Sequence, residues 1–177
     1  MKTRNILFLL LSAGLMASCG SGRDKAVAEI KDFEDALFND KGGIVSREKA
    51  DDIVTMYVDF SETYPEDSLA VEYLFKAADI SMNMNRPVKA VELYSLIRED
   101  YPDFRKAPEC LFLKGYVYEN YMNDLEKARA IYTEFIEKYP DNDFADDAEI
   151  SIRNLGKSPE ELIKEFEEKM DTQESAE

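Results

Sequence analysis

Three Tyr-Pro pairs, Tyr64-Pro65, Tyr101-Pro102 and Tyr139-Pro140, punctuate the chain at intervals of 37 and 38 residues. A period of this length constrains the fold more than any single residue, because each period must be a supersecondary unit that buries its apolar face against its neighbours. The repetition reaches beyond the pairs. Seven residues before the Tyr of each pair stands another, Tyr57, Tyr94 or Tyr132, with Phe60, Ile97 or Phe135 between them. Five residues after each Pro comes Ala70, Ala107 or Ala145.

Each period reads as two antiparallel helices. In LEKARAIYTEFIEKY, Leu125, Ala128, Tyr132, Phe135 and Tyr139 recur at spacings of 3, 4, 3 and 4, which places them on one helical face as a buried seam. The proline that follows lacks an amide hydrogen and disfavours helical geometry in the residue before it, so the helix ends at Tyr-Pro. Asp and Ser residues after the proline are expected to cap the next helix and make its first turn negative. That helix, EDSLAVEYLFKAADIS, puts Ala70, Tyr73, Leu74, Ala77, Ala78 and Ser81 on one face, small enough for a neighbour to approach closely.

Flanking segments follow the same reading. A helix is expected from about Asp24 to Phe38, closed by Gly42-Gly43, and Ser46 can cap a helix that runs to Tyr64. Near the end, Ser158, Pro159 and Glu161 form a capping box for a solvated terminal helix in which Leu162, Ile163, Phe166 and Met170 are apolar. Residues 171–177 read as a disordered tail. The expectation is an all-α chain of about eight helices, with a helical domain over residues 24–170.

Ala78 and Ala90 lie 12 residues apart, Ala90 lies 12 before Pro102, and Tyr94 stands between. With the Tyr-Pro punctuation, this spacing resembles the tetratricopeptide repeat over residues 46–156, with Arg86-Pro87 as one turn between helices. The next unit departs by one inserted residue, since Gly115 lies 13 before Ala128, and the insertion is expected in the turn YMND. The resemblance is nearest to lipid-anchored tetratricopeptide proteins of the bacterial envelope, including the BamD-like assembly lipoproteins. It implies a right-handed solenoid of antiparallel helix pairs.

The N-terminus carries a different signal. Lys2 and Arg4 precede an apolar run from Ile6 to Met16, 11 residues and too short to span a hydrocarbon core that needs about 20. Residues 1–18 therefore read as a signal peptide. Leu15-Met16-Ala17-Ser18-Cys19 resembles the lipobox of bacterial lipoproteins, which implies cleavage between Ser18 and Cys19 and acylation of Cys19. Several acyl chains at about 0.8 kcal/mol per buried CH₂ make a stable anchor. Residues 19–23, with Gly20-Ser21-Gly22, read as a short tether. By the same resemblance, the absence of Asp directly after Cys19 implies the outer membrane, and the absence of an acidic run there implies a position facing the periplasm.

Composition excludes several chemistries. There is no histidine, so the Ser-His-Asp and Cys-His nucleophile systems and the HExxH zinc site are absent. Cys19 and Cys110 are too far apart for a CxxC site, and Cys110 reads as a small buried residue. The Asp141–Asp147 cluster lacks the Gly and Glu of a calcium loop and reads as a negative helix start. No catalytic residue, metal or cofactor is expected. A formal net charge of -16 repels phosphate backbones, which excludes nucleic acid as a partner.

If the tetratricopeptide register holds, the first helices present Glu72, Phe75, Asp79, Met82 and Asn83 in one unit and Glu109, Phe112, Tyr116, Glu119 and Asn120 in the next. This would be an acidic groove with aromatic anchors, suited to a basic or amphipathic segment of another envelope protein. The membrane is then met through the lipid anchor only. The alternative function is binding of glycan or peptidoglycan fragments, which requires Tyr116, Tyr118 and Tyr121 to be exposed together.

Overall fold

The computed structural model describes residues 19–38 and 46–174. The signal segment with Ser18, the Gly42-Gly43 closure and residues 175–177 lie outside the described residues. Among those described there are eight helices and no strand: α1 (Cys19–Phe38), α2 (Arg47–Thr63), α3 (Ser68–Asn83), α4 (Pro87–Asp100), α5 (Ala107–Asn120), α6 (Leu125–Lys138), α7 (Ala145–Asn154) and α8 (Pro159–Glu174). The architecture is an all-α helical repeat. Its helices group into two compact units, divided within α3 between Tyr73 and Leu74.

The Tyr-Pro turn is built the same way three times. Tyr64, Tyr101 and Tyr139 terminate α2, α4 and α6 with φ/ψ of -129/57, -128/58 and -134/54, outside the helical region as a following proline demands. From each Tyr the backbone makes two successive three-residue steps: Asp67 N–H to Tyr64 O and Ala70 N–H to Asp67 O, then the same through Tyr101, Phe104 and Ala107, and through Tyr139, Asn142 and Ala145. The alanine that recurs five residues after each proline is thus the end of this ladder.

The expected side-chain capping after Tyr-Pro forms at α3 but not at α5 or α7. Lys106 and Phe144 precede α5 and α7 without any side-chain cap, because neither side chain offers an acceptor oxygen. At α3 the expected cap forms, Asp67 Oδ1 accepting from Leu69 N–H at 2.9 Å from the position just before the helix, whereas Asn142 Oδ1 acts one step earlier, inside the turn, accepting from Phe144 N–H at 3.0 Å. Side-chain caps also stand where no Tyr-Pro turn precedes. Ser46 accepts from Lys49 N–H, and Ser158 and Glu161 exchange the two bonds of the capping box at 3.2 and 2.7 Å.

In the first unit α1 packs on α2, around Ile30, Ile53, Tyr57 and Phe60, which are all buried. Tyr73 stacks on Tyr57 and meets Phe60 edge-on, each at 5.0 Å between centroids. Ser61 is buried with its hydroxyl 2.7 Å from Ala70 O, which leaves no polar atom stranded between α2 and the start of α3.

Helix α1 begins at Cys19, so the expected tether of residues 19–23 is helical. Two contacts hold it: the Arg23 guanidinium donates to both Asp67 oxygens at 2.8 and 3.3 Å, and a Cβ at Gly22 would stand 3.1 Å from Tyr64 Oη. At the other end α8 continues to Glu174, so residues 171–174 are helical where a disordered tail was expected.

In the second unit α4, α5, α6 and α7 pack in succession. The turns between paired helices place the insertion. Residues 84–86 join α3 to α4, whereas residues 121–124 join α5 to α6 with one residue more. Asn85 (φ 56) and Asn123 (φ 52) take the left-handed conformation in these turns, a role that suits asparagine among non-glycine residues. The expected α6 seam is buried at Ala128, Tyr132 and Phe135 and half-buried at Leu125 and Tyr139. Arg98 of α4 reaches Glu134 of α6 at 3.2 Å, tying successive second helices together.

Candidate functional site

The second helix of each period carries a tyrosine into the core, and its hydroxyl needs an acceptor there. Tyr57 donates to Glu34 of α1, Tyr94 to Asp79 of α3 at 2.6 Å, and Tyr132 to Glu119 of α5 at 2.8 Å. In all three cases the carboxylate comes from the preceding helix. Sequence reasoning saw the tyrosines only as apolar seam. The signal that could have revealed these bonds is that Tyr, and never Phe, recurs at this position.

The bonds have an electrostatic consequence. Burial first, then the neighbouring carboxylate, raises Tyr57, Tyr94 and Tyr132 well above the ordinary phenol range. Asp79 is also raised, by burial, against the opposing effects of the Tyr94 bond and the nearby Lys106. For the tyrosines the folded-state pKa lies above the unfolded value near 10. Their contribution to stability is therefore complete below about pH 10 and is lost as pH rises beyond it. In a spectrophotometric titration these three phenols should ionise together with loss of helical circular dichroism. Ionisation of all ten tyrosines before any loss of helix would contradict the buried bonds.

The residues expected to line a groove differ in their exposure. Phe75 and Phe112 are 5 % and 9 % exposed, so they are core residues and not anchors offered to a partner. Phe75 meets Tyr94 and Phe104 edge-on, and Phe112 packs among Tyr132, Phe135 and Phe144. Their burial follows from the turns, which fold Phe104 and Phe144 back over the first helix of each pair. Asp79 and Glu119 are half-buried and engaged by the core tyrosines. Lys106 Nζ lies 4.0 Å from the centroid of Phe75, so a cation sits where an acidic face was expected.

The remaining positions stay accessible to differing degrees. Asn83 and Asn120 are exposed, each donating from Nδ2 to the carbonyl four residues back, Asp79 O at 2.9 Å and Tyr116 O at 3.1 Å. Met82 and Glu109 are half-buried. Glu72 is half-buried and belongs to the first unit. Tyr116 is 38 % exposed and meets Tyr121 edge-on at 6.2 Å. Tyr118 is turned toward the core around Phe112 and Tyr132, with Lys127 Nζ 5.2 Å from its ring, so Tyr116, Tyr118 and Tyr121 do not form one open platform.

Cys110 is fully buried, and burial first, then Glu109, pushes its thiol up to about 12. Asp141, Asp143, Asp146 and Asp147 are exposed, the last two in the first turn of α7 where negative charge is favourable. Among the described residues no three acidic or cysteine side chains converge as metal ligands, and no helix is long and apolar enough to cross a membrane.

Two segments, residues 72–103 and 109–142, match the family model for the tetratricopeptide repeat. Both span most of a first helix, the turn, and a complete second helix through its Tyr-Pro pair. Repeats of this kind bind other proteins, and the matched pair supports a protein-interaction scaffold. A search of curated proteins returned no match.

Proposed function

We propose that this tetratricopeptide-repeat chain is a lipid-anchored adaptor of the bacterial cell envelope. Acylated Cys19 holds it in the outer membrane facing the periplasm, and the face bearing Met82, Asn83, Glu109, Tyr116 and Asn120 receives a basic or amphipathic segment of another envelope protein. The observation that carries the binding face is Tyr116, the one expected anchor that keeps an exposed ring, with the exposed Asn120 amide bonded to its backbone. The lipobox-like sequence before Cys19 supports the anchor.

The structure dictates which substitutions test this. Glu119→Lys would remove the acceptor of Tyr132 and Phe112→Ala would open the core, so neither isolates the surface. Tyr116→Ala and Glu109→Gln do, since Glu109→Gln removes the charge without setting a cation in the first turn of α5, and substitutions away from core features change stability by only about 0.5 kcal/mol. Both should fold as wild type and lose the protein captured by crosslinking in intact cells, and wild-type capture should weaken with salt, which screens charges over about 10 Å at 0.1 M. Undiminished capture by both folded variants would remove this face from the proposal. Cys19→Ser should move the protein from the membrane to the soluble periplasmic fraction; retention in the membrane would overturn the anchor.

A second reading, binding of glycan or peptidoglycan fragments, is favoured by the Tyr116–Tyr121 pair alone, an aromatic corner on which a sugar face can rest. Titration with soluble peptidoglycan fragments separates the readings. Binding that Tyr116→Ala abolishes supports the second.

A further inference from the structure

The start of α1 and the turn after α2 are joined by charge and by close packing. Arg23 Nε and one terminal nitrogen grip Asp67, the other terminal nitrogen reaches Asp24 at 3.1 Å, and Gly22 passes so close to Tyr64 that a Cβ would press on its hydroxyl. The Arg23 bond first, then the Leu69 amide, holds the Asp67 carboxyl below its ordinary range, so the pair stays charged through neutral pH. Because α1 is helical from Cys19, an axial rise of about 1.5 Å per residue sets Gly22 and Arg23 only about 5–6 Å from the acylation site. A bilayer's polar layer is itself about 5–8 Å deep on each side.

We infer that in the acylated protein the turn Tyr64–Asp67 is seated in the lipid headgroup layer, held there by the Arg23–Asp67 clamp in place of a flexible linker. This rests on the acylation of Cys19 proposed above. Tyr64 supplies the ring with a polar tip that suits a membrane–water interface. Glu62 and Glu66 are exposed beside it, so the headgroups that fit are zwitterionic ones with an outward ammonium, and anionic ones are repelled. The consequence for function is geometric: the first unit has a defined height and orientation on the membrane, because no free chain separates the lipid from the fold.

The test uses the intact acylated protein in vesicles of phosphatidylethanolamine and phosphatidylcholine. Cys110 is buried with its thiol pushed up to about 12, and acylation blocks Cys19, so Ser68→Cys offers a single reactive thiol next to the turn for a nitroxide label. The expected result is a several-fold lower collision rate with a water-soluble nickel chelate than in the unacylated Cys19→Ser protein. Adding Arg23→Ala should restore most of that accessibility while the helical circular dichroism is unchanged. Mass measurement of the N-terminal fragment separates the two proposals. An unacylated Cys19 overturns the anchor and this seating together, whereas acylated protein with a fully water-accessible label overturns the seating alone. A protected label that is indifferent to Arg23→Ala overturns the clamp.

Discussion

Phe135→Ala is expected to lower the unfolding free energy by about 3–5 kcal/mol, the range for truncating a buried aromatic side chain when the surroundings collapse only partly. Phe135 is fully buried, has no polar atom, and touches Phe112 edge-on at 5.8 Å and Tyr139 at 5.6 Å. Its loss would leave a cavity walled by rings from α5 and α6 and would loosen the turn that Tyr139 begins. Tyr132→Ala should cost at least as much, because it also strands the half-buried Glu119 without its donor. Urea denaturation of the two variants checks both. A loss below about 1 kcal/mol for Phe135→Ala would mean that the seam of α6 does not face the core.

Gly115→Val should produce the next largest effect, about 3 kcal/mol, at the upper end of the range for overpacking a filled core. A Cβ at Gly115 would stand 2.6 Å from Cε1 and 2.8 Å from Cδ1 of Tyr132. Tyr132 cannot retreat, since its hydroxyl is bonded to Glu119 and its ring packs on Phe112. The two helices therefore approach each other across a glycine. Combining Gly115→Val with Tyr132→Leu should cost less than the sum of the single variants, because the two residues contend for one volume. Strict additivity in denaturant titrations would show that they do not touch.

The legibility of this chain in its sequence divides along a physical line. What repeats with the helical period, or interrupts it, could be read directly. The seam of Ala128, Tyr132 and Phe135, the six-residue face of α3, the Ser46 and Ser158 caps and the extra residue between α5 and α6 all depend on local geometry within a few residues. What depends on how one helix lies on another could not. Phe75 and Phe112 share the register of an exposed face, yet Phe104 and Phe144 in the following turns cover them, and nothing in the spacing reports that a turn folds back. Phe75 and Phe112, expected as aromatic anchors, are therefore core residues, and Lys106 lies against the first of them.

The tyrosine–carboxylate bonds show the same division most sharply. Recurrence alone determined that Tyr57, Tyr94 and Tyr132 occupy equivalent places, because the repeat period and the helical stripe are properties of the chain itself. Only the tertiary structure decided which of 38 acids would meet them. Glu34, Asp79 and Glu119 precede their tyrosines by 23, 15 and 13 residues, so no fixed spacing encodes the pairing. A buried hydroxyl accepts whichever carboxylate the packing of the preceding helix brings within reach, and that packing is set by ring shapes, by Gly115 and by the length of each turn. In the same way the stretch before Cys19 is legible in the sequence, while the contact of Arg23 with Asp67, 44 residues apart, appears only in the tertiary structure.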